Sequence, residues 1–161
     1  MTTTMENVQT RDLNSFPIFS GLQPDQLDML APIFWRQAFL GGQAVFEQGD
    51  QAINIYVVER GEVGLEFRPY DGGHMHIETI TPGGVFGWSA ALGRAHYTSS
   101  AICQADASLI VTRGSDLRRV MRRDRELAAV LLDSMAQIVA HRLDSFRQQL
   151  IRLLGAEADG D

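Results

Sequence analysis

The spacing of apolar positions changes twice along the chain. Phe16 to Leu22 is an apolar stretch with a turn signal, and Pro24 to Phe34 has helical spacing. Pro24 suits a first helical turn and Asp25 suits the positive end of a helix. Leu27, Leu30 and Phe34 would form its buried face. From Trp35 to Arg113 short apolar runs alternate with glycine-bearing turns. Ala38 to Leu40 stops at Gly41-Gly42, Ala44 to Glu47 at Gln48-Gly49-Asp50, and Ile53 to Val58 at Arg60-Gly61. Val63 to Phe67 stops near Asp71-Gly72-Gly73 and Met75 to Ile80 at Pro82-Gly83-Gly84; Tyr97 to Cys103 and Ser108 to Val111 follow. Strands at this spacing predict a mainly β sandwich or barrel. One interruption, Phe86 to Leu92, reads as a helical turn or two.

After Gly114 the period becomes helical again. Ser115 to Met121 is predicted as a short helix with Ser115 as its N-cap. Asp124 then caps a long helix that runs to about Leu154 and stops at Gly155. Leu132, Met135, Val139, Leu143, Phe146, Leu150 and Leu153 recur at spacings of three and four, close to a heptad seam. A helix of about 30 residues spans about 45 Å, longer than a β-domain of this size, so part of the seam needs a partner outside the domain. Residues 1–15 are predicted to be flexible, 16–123 to form the β-domain, 124–154 the long helix and 155–161 an acidic tail.

Length and composition narrow the class. A chain of 161 residues with 45% apolar content is one globular domain, or one domain plus an appended element. No apolar run approaches the roughly 20 residues of a membrane span, and the polar start lacks a signal-peptide core. A cytoplasmic protein with no membrane contact is expected. The net charge of −6 does not draw phosphate backbones to the surface as a whole. Arg118, Arg119, Arg122, Arg123 and Arg125 form a local excess, offset by Asp116, Asp124 and Glu126, and read as a solvated face. The single cysteine, Cys103, excludes an internal disulfide and multi-cysteine metal sites; its strand position places it in the core.

Several stretches in order carry a family resemblance. They are Phe16-Pro17-Ile18-Phe19-Ser20-Gly21-Leu22, Val45-Phe46-Glu47-Gln48-Gly49-Asp50, Ile55-Tyr56-Val57-Val58 with Gly61-Glu62-Val63, Gly83-Gly84-Val85-Phe86-Gly87, and Asp106-Ala107-Ser108-Leu109-Ile110-Val111. Over roughly residues 16–154 the chain resembles the cyclic nucleotide-binding domain of Crp/Fnr-type regulators. The resemblance implies an eight-stranded β jelly roll with short N-terminal helices, a small internal cassette helix and a long C-terminal helix. It implies a cyclic nucleotide or another small effector as ligand, and a parallel homodimer through the long helix.

The resemblance also says where this chain departs. In the family a glutamate follows the Phe-Gly pair and takes a ribose hydroxyl, and an arginine further on pairs with the phosphate. Here Trp88 follows Gly87, and Tyr97 stands at the arginine's place. The candidate pocket is therefore Phe86, Gly87, Trp88, Ser89, Ala90, Arg94, Tyr97, Thr98, Ser99 and Ser100. Arg94 is the one nearby cation and reads as an exposed loop residue. Trp88 either plugs the vacant pocket or stacks on a less charged ligand. Losing a charge-assisted contact removes about 1.5–3 kcal/mol, so binding of cyclic AMP or cyclic GMP is expected to be weak, absent or replaced.

Other candidates read as ordinary surface. His74 and His76 alternate on a strand without a third ligand, so no metal site is expected. His96 is placed in a loop. His141 lies beside the seam with no further haem motif. Neither a nucleophile elbow nor a P-loop nor a paired-carboxylate motif occurs, so no enzyme is expected. About seven residues follow the long helix, too few for a recognition helix, so this chain alone is not expected to bind DNA. Two alternatives stay open: a ligand-free scaffold for a protein partner, or the sensor half of a longer regulator.

Overall fold

The alternation of β-strand side chains explains why this chain builds two cores rather than one. The computed structural model describes residues 5–158. Its nine strands are β1 (Glu6–Asn7), β2 (Phe34–Phe39), β3 (Ala44–Phe46), β4 (Asn54–Arg60), β5 (Val63–Phe67), β6 (Met75–Ile80), β7 (Val85–Phe86), β8 (Ser100–Cys103) and β9 (Ala107–Arg113). They form a five-stranded sheet, β1-β2-β9-β4-β7, facing a four-stranded sheet, β3-β8-β5-β6. On β4, Tyr56 and Val58 enter the core between the sheets, while Ile55 and Val57 enter a second core on the other face. A strand buried on both faces reads as a continuous apolar run, and Ile55-Tyr56-Val57-Val58 is one.

The second core is roofed by helices: α1 (Thr10–Asn14), α2 (Pro24–Leu30), α4 (Gly114–Arg123) and the first turns of α5 (Arg125–Ala158). A fifth helix, α3 (Trp88–Ala91), follows β7 as the expected short interruption. The mainly β jelly-roll class expected from the sequence is the one observed.

Four local expectations are corrected. Residues 5–15 do not fray: β1 pairs with β2, and Val8 and Leu13 are buried. Arg36 explains this, because its guanidinium lies 2.7 Å from Glu59, 3.5 Å from Asp12 and 3.8 Å from Glu6. This edge strand is the ninth, beyond the eight expected. Helix α2 stops at Leu30 and a 3-10 turn, Ala31–Ile33, leads into β2; Pro32 lacks the N–H that would continue an α-helix. Ser115 is not an N-cap, since α4 already begins at Gly114. A Cβ at Gly114 would lie 2.0 Å from the Ala90 carbonyl oxygen, so the helix start is pressed against the end of α3.

The fourth correction concerns α5. Asp124 caps it as expected, its Oδ1 accepting the Leu127 N–H at 3.0 Å. The helix nevertheless passes through Gly155 to Ala158, a length of about 51 Å. Part of the expected acidic tail is thus helical, and 159–161 lie outside the described residues. Leu127, Leu131 and Met135 face the core. Met135 therefore belongs to the roll rather than to the seam. The other six seam residues, Leu132, Val139, Leu143, Phe146, Leu150 and Leu153, are 45–66% exposed.

Candidate functional site

The cassette begins where β7 runs out. β7 pairs with β4 only at Tyr56↔Phe86 and Val57↔Val85. At Gly87 (φ +85°) the chain turns into α3, and a Cβ there would lie 2.9 Å from the Asn54 carbonyl oxygen. Only glycine meets both the positive φ and the close approach. Because β7 ends here, the backbone N–H and C=O of Asn54 have no strand neighbour on that side. The Tyr97 hydroxyl takes both: it donates to the Asn54 carbonyl at 2.6 Å and accepts the Asn54 N–H at 3.0 Å.

Tyr97 is thereby part of an aromatic floor. Its ring stacks on Phe46 with centroids 3.6 Å apart, and Tyr56 stacks on Phe86 at 5.0 Å. Burial pushes the Tyr97 phenol above its ordinary value. A buried phenol with both hydrogen-bonding roles engaged has nothing left for a phosphate.

Above this floor is a cavity of about 170 Å³ lined by Phe46, Leu65, Gly87, Trp88, Ser89, Tyr97, Thr98 and Ser99. None of the eight is charged. The volume lies below the roughly 300–1,000 Å³ of typical small-molecule sites. Six of the ten sequence candidates meet here. Phe86 and Ala90 instead lie in the core beneath. Ser100 turns away: its Oγ accepts the Gln48 N–H at 2.9 Å, and it borders a separate depression with Arg68 and His74. Arg94 is exposed and does not line the cavity.

Trp88 borders the cavity and also packs against the core under the helices. Its indole is covered from outside by Arg142 of α5, whose guanidinium carbon lies 5.9 Å from the ring centroid, within cation–π range. Arg142 also donates to the Val85 carbonyl and places its Nε 3.3 Å from Glu78 of β6. Burial pushes the Arg142 pKa down, opposed by the Glu78 carboxylate. From Val139 to Gly155 it is the one α5 side chain that is not exposed. On the other side of the cassette, Arg118 of α4 donates to the Ala90 carbonyl at the end of α3. The cassette thus touches both C-terminal helices.

Sequence reasoning missed Phe46, Leu65, Glu78 and Arg142. Alternation within β3 and β5 carries a signal for the first two. Arg142 sits beside the seam in sequence and looks like any solvated helix residue.

The remaining candidates stay on the periphery. His76 Nε2 lies 3.0 Å from the Thr79 hydroxyl, and His74 lies 3.6 Å from Glu66. Among the described residues no three His, Cys, Asp or Glu side chains form a metal-binding group. His96 and His141 are exposed. Cys103 is buried, and burial pushes its thiol up. Among the described residues no helix is long and apolar enough to cross a membrane.

Comparison with known proteins agrees with this architecture. The family model described as "Cyclic nucleotide-binding domain" matches residues 36–124. The cyclic AMP receptor protein of Thermus thermophilus is 30% identical over 128 residues, covering 79% of this chain and 57% of that protein. The chain thus spans little more than half the length of that relative. A putative cyclic nucleotide-binding protein from Geobacter metallireducens superposes with a TM-score of 0.75 at 26% identity, covering 84% of this chain and 98% of the other. The Thermus thermophilus catabolite activator protein gives 0.70 at 27%, covering 85% and 62%. The matched motifs, the two-sheet roll and the cassette between β7 and β8 make this chain a member of the cyclic nucleotide-binding domain family, of the Crp/Fnr type.

Proposed function

We propose that this chain is a regulatory module, not an enzyme, which passes the state of its cassette to a long dimerising helix. One observation carries the reading: α3 and its flanks are tied to both C-terminal helices, through Arg118 on Ala90 and through Arg142 on Val85 and Trp88. A shift of α3 has a direct mechanical route to α5, and none of it requires a nucleotide. The cassette in this reading is degenerate: Trp88 and Tyr97 replace the family's ribose and phosphate contacts with apolar surface. Its effector is either a small, weakly charged molecule or a protein surface. The working form is a cytoplasmic homodimer joined through the exposed seam of α5.

Arg142→Gln tests the route. Glutamine is too short to reach Val85, Glu78 and Trp88 together and carries no charge for the ring. Compared in a Leu143→Glu, Phe146→Glu background, where no partner helix holds the seam, amide hydrogen exchange from Val139 to Leu154 is expected to speed up about tenfold or more, because that half of α5 loses its hydrogen-bonded anchor on the roll. Trp88 emission is expected to change with it. Unaltered exchange in Arg142→Gln would overturn the mechanical coupling.

A further inference from the structure

Size alone narrows what the cassette cavity holds. An apolar cavity of about 150 Å³ takes up one benzene ring, and the space above the Phe46–Tyr97 stack is about 170 Å³. One six-membered ring with one small substituent fills it, whereas a nucleoside overfills it. Thr98 is exposed, so the cavity opens to solvent there.

The lining fixes the chemistry. Phe46, Trp88 and Tyr97 contribute rings, Leu65 an aliphatic wall, and Ser89, Thr98 and Ser99 hydroxyls that donate or accept. Water against such rings is poorly held, and an apolar group that displaces it gains affinity. A charged ligand is disfavoured, because it would lose its hydration and meet no counter-ion. Arg94 does not line the cavity, and Arg142 lies across the indole of Trp88, already paired with Glu78. One donor in the lining is left over. Trp88 Nε1 is buried and has no hydrogen-bond partner among the described residues. A buried unpaired donor costs free energy that an acceptor restores. Asn54 Oδ1 is likewise buried and unpaired, but Asn54 does not line the cavity.

We propose that the cassette cavity binds an uncharged single-ring aromatic compound bearing a carbonyl acceptor, such as a ring carboxamide. Its ring sits among Phe46, Leu65 and Tyr97, and its carbonyl accepts from Trp88 Nε1. The assignment rests on reading the cassette as the sensing end of the module, and it names the class of compound sensed there. Trp88 then joins ligand to helix, since its indole lines the cavity and carries Arg142 of α5 over its ring.

Benzamide is the probe, titrated into the whole isotope-labelled chain. The chain has two tryptophans. Trp35 Nε1 already donates to Gln37 at 3.1 Å and serves as the internal control. The Trp88 indole N–H signal is expected to move saturably, with a dissociation constant below about 1 mM, while that of Trp35 stays in place. Benzoate, toluene and adenosine test charge, acceptor and size, and each is expected to bind at least tenfold more weakly. Ser99→Leu, which fills the cavity, should abolish benzamide binding. The proposal is overturned by the absence of a saturable shift at Trp88, by any of the three other compounds binding as well as benzamide, or by undiminished binding in a folded Ser99→Leu protein. The ligand series decides the matter even if that variant fails to fold. Amide exchange from Val139 to Leu154, measured in the Leu143→Glu, Phe146→Glu background, separates this outcome from the reading beneath it. Benzamide bound at Trp88 with that exchange unchanged leaves the ligand class standing and overturns the coupling to α5. Failure of benzamide to bind overturns the ligand class and leaves the coupling to be decided by Arg142→Gln.

Discussion

Leu143→Glu combined with Phe146→Glu is expected to turn a dimer into monomers. The two side chains are 66% and 52% exposed on the far half of α5. With Val139 they border a shallow depression beside Ile77 and Glu78 of β6 but stay mostly open to solvent, and Leu150, Ile151, Leu153 and Leu154 continue the apolar surface. Burying a leucine or phenylalanine side chain contributes roughly 1.5–3 kcal/mol. In a two-fold interface each residue counts twice, so the double substitution removes at least about 6 kcal/mol, some four decades in dissociation constant. Adding four carboxylates across the axis weakens it further. Sedimentation of the two proteins side by side reads the result. A double variant that still sediments as a dimer would show that the seam is not the interface. The roll should stay folded in either case, because the core-facing α5 residues are Leu127, Leu131 and Met135.

The second large effect falls on Tyr97. If this residue merely occupied the place of a lost phosphate ligand, Tyr97→Arg would be tolerated and would move the chain back toward nucleotide binding. The geometry argues otherwise. Tyr97 is 6% exposed, its ring is stacked on Phe46, and its hydroxyl satisfies both backbone groups of Asn54. Arginine there would lose the stack, leave the Asn54 carbonyl and N–H to find other partners, and bring a charge toward apolar walls. Truncating large core side chains costs about 3–5 kcal/mol, and an uncompensated polar or charged group adds to that. Tyr97→Arg is therefore expected to lose at least about 3 kcal/mol in urea unfolding. Tyr97→Phe, which keeps the stack, should lose about 1–2 kcal/mol. An arginine variant as stable as the wild type would overturn the structural role given to this tyrosine.

Much of the fold was legible because it rests on periodicity. The β4 run Ile55 to Val58, the β5 and β6 runs and the helical spacing after Asp124 each carry their own signal, and glycine punctuation marks the turns between them. The errors fell where one distant contact overrides local pattern. The start of the chain looked unstructured because Arg36, the residue that organises it, lies more than twenty positions away. The beginning of α4 was misplaced because Gly114 answers to Ala90 in another element rather than to its own helix. Met135 looked like seam because heptad spacing does not say which side of a helix the roll occupies.

The site divided in the same way. Gly87, Trp88, Ser89 and the run from Tyr97 to Ser99 line one cavity because they flank a single chain reversal. Ser100 and Arg94 did not, since one residue along a strand reverses the side chain and a loop arginine has no packing to aim it. The residues that tie α5 to the sheet edges, Arg142 and Glu78, have no local signal at all. Their meeting depends on α5 crossing both sheet edges, which no window of sequence contains.

The most direct test of the cassette reading is a thermal-shift titration of the wild-type protein with cyclic AMP and cyclic GMP up to millimolar concentration. A ligand present at 100 times its dissociation constant would add about 2.7 kcal/mol of stability, a shift that is easily read. An uncharged cavity of about 170 Å³ above a filled aromatic floor predicts an unchanged melting temperature with both nucleotides. A saturable upward shift with either one would contradict it and show that the family's original ligand still binds here.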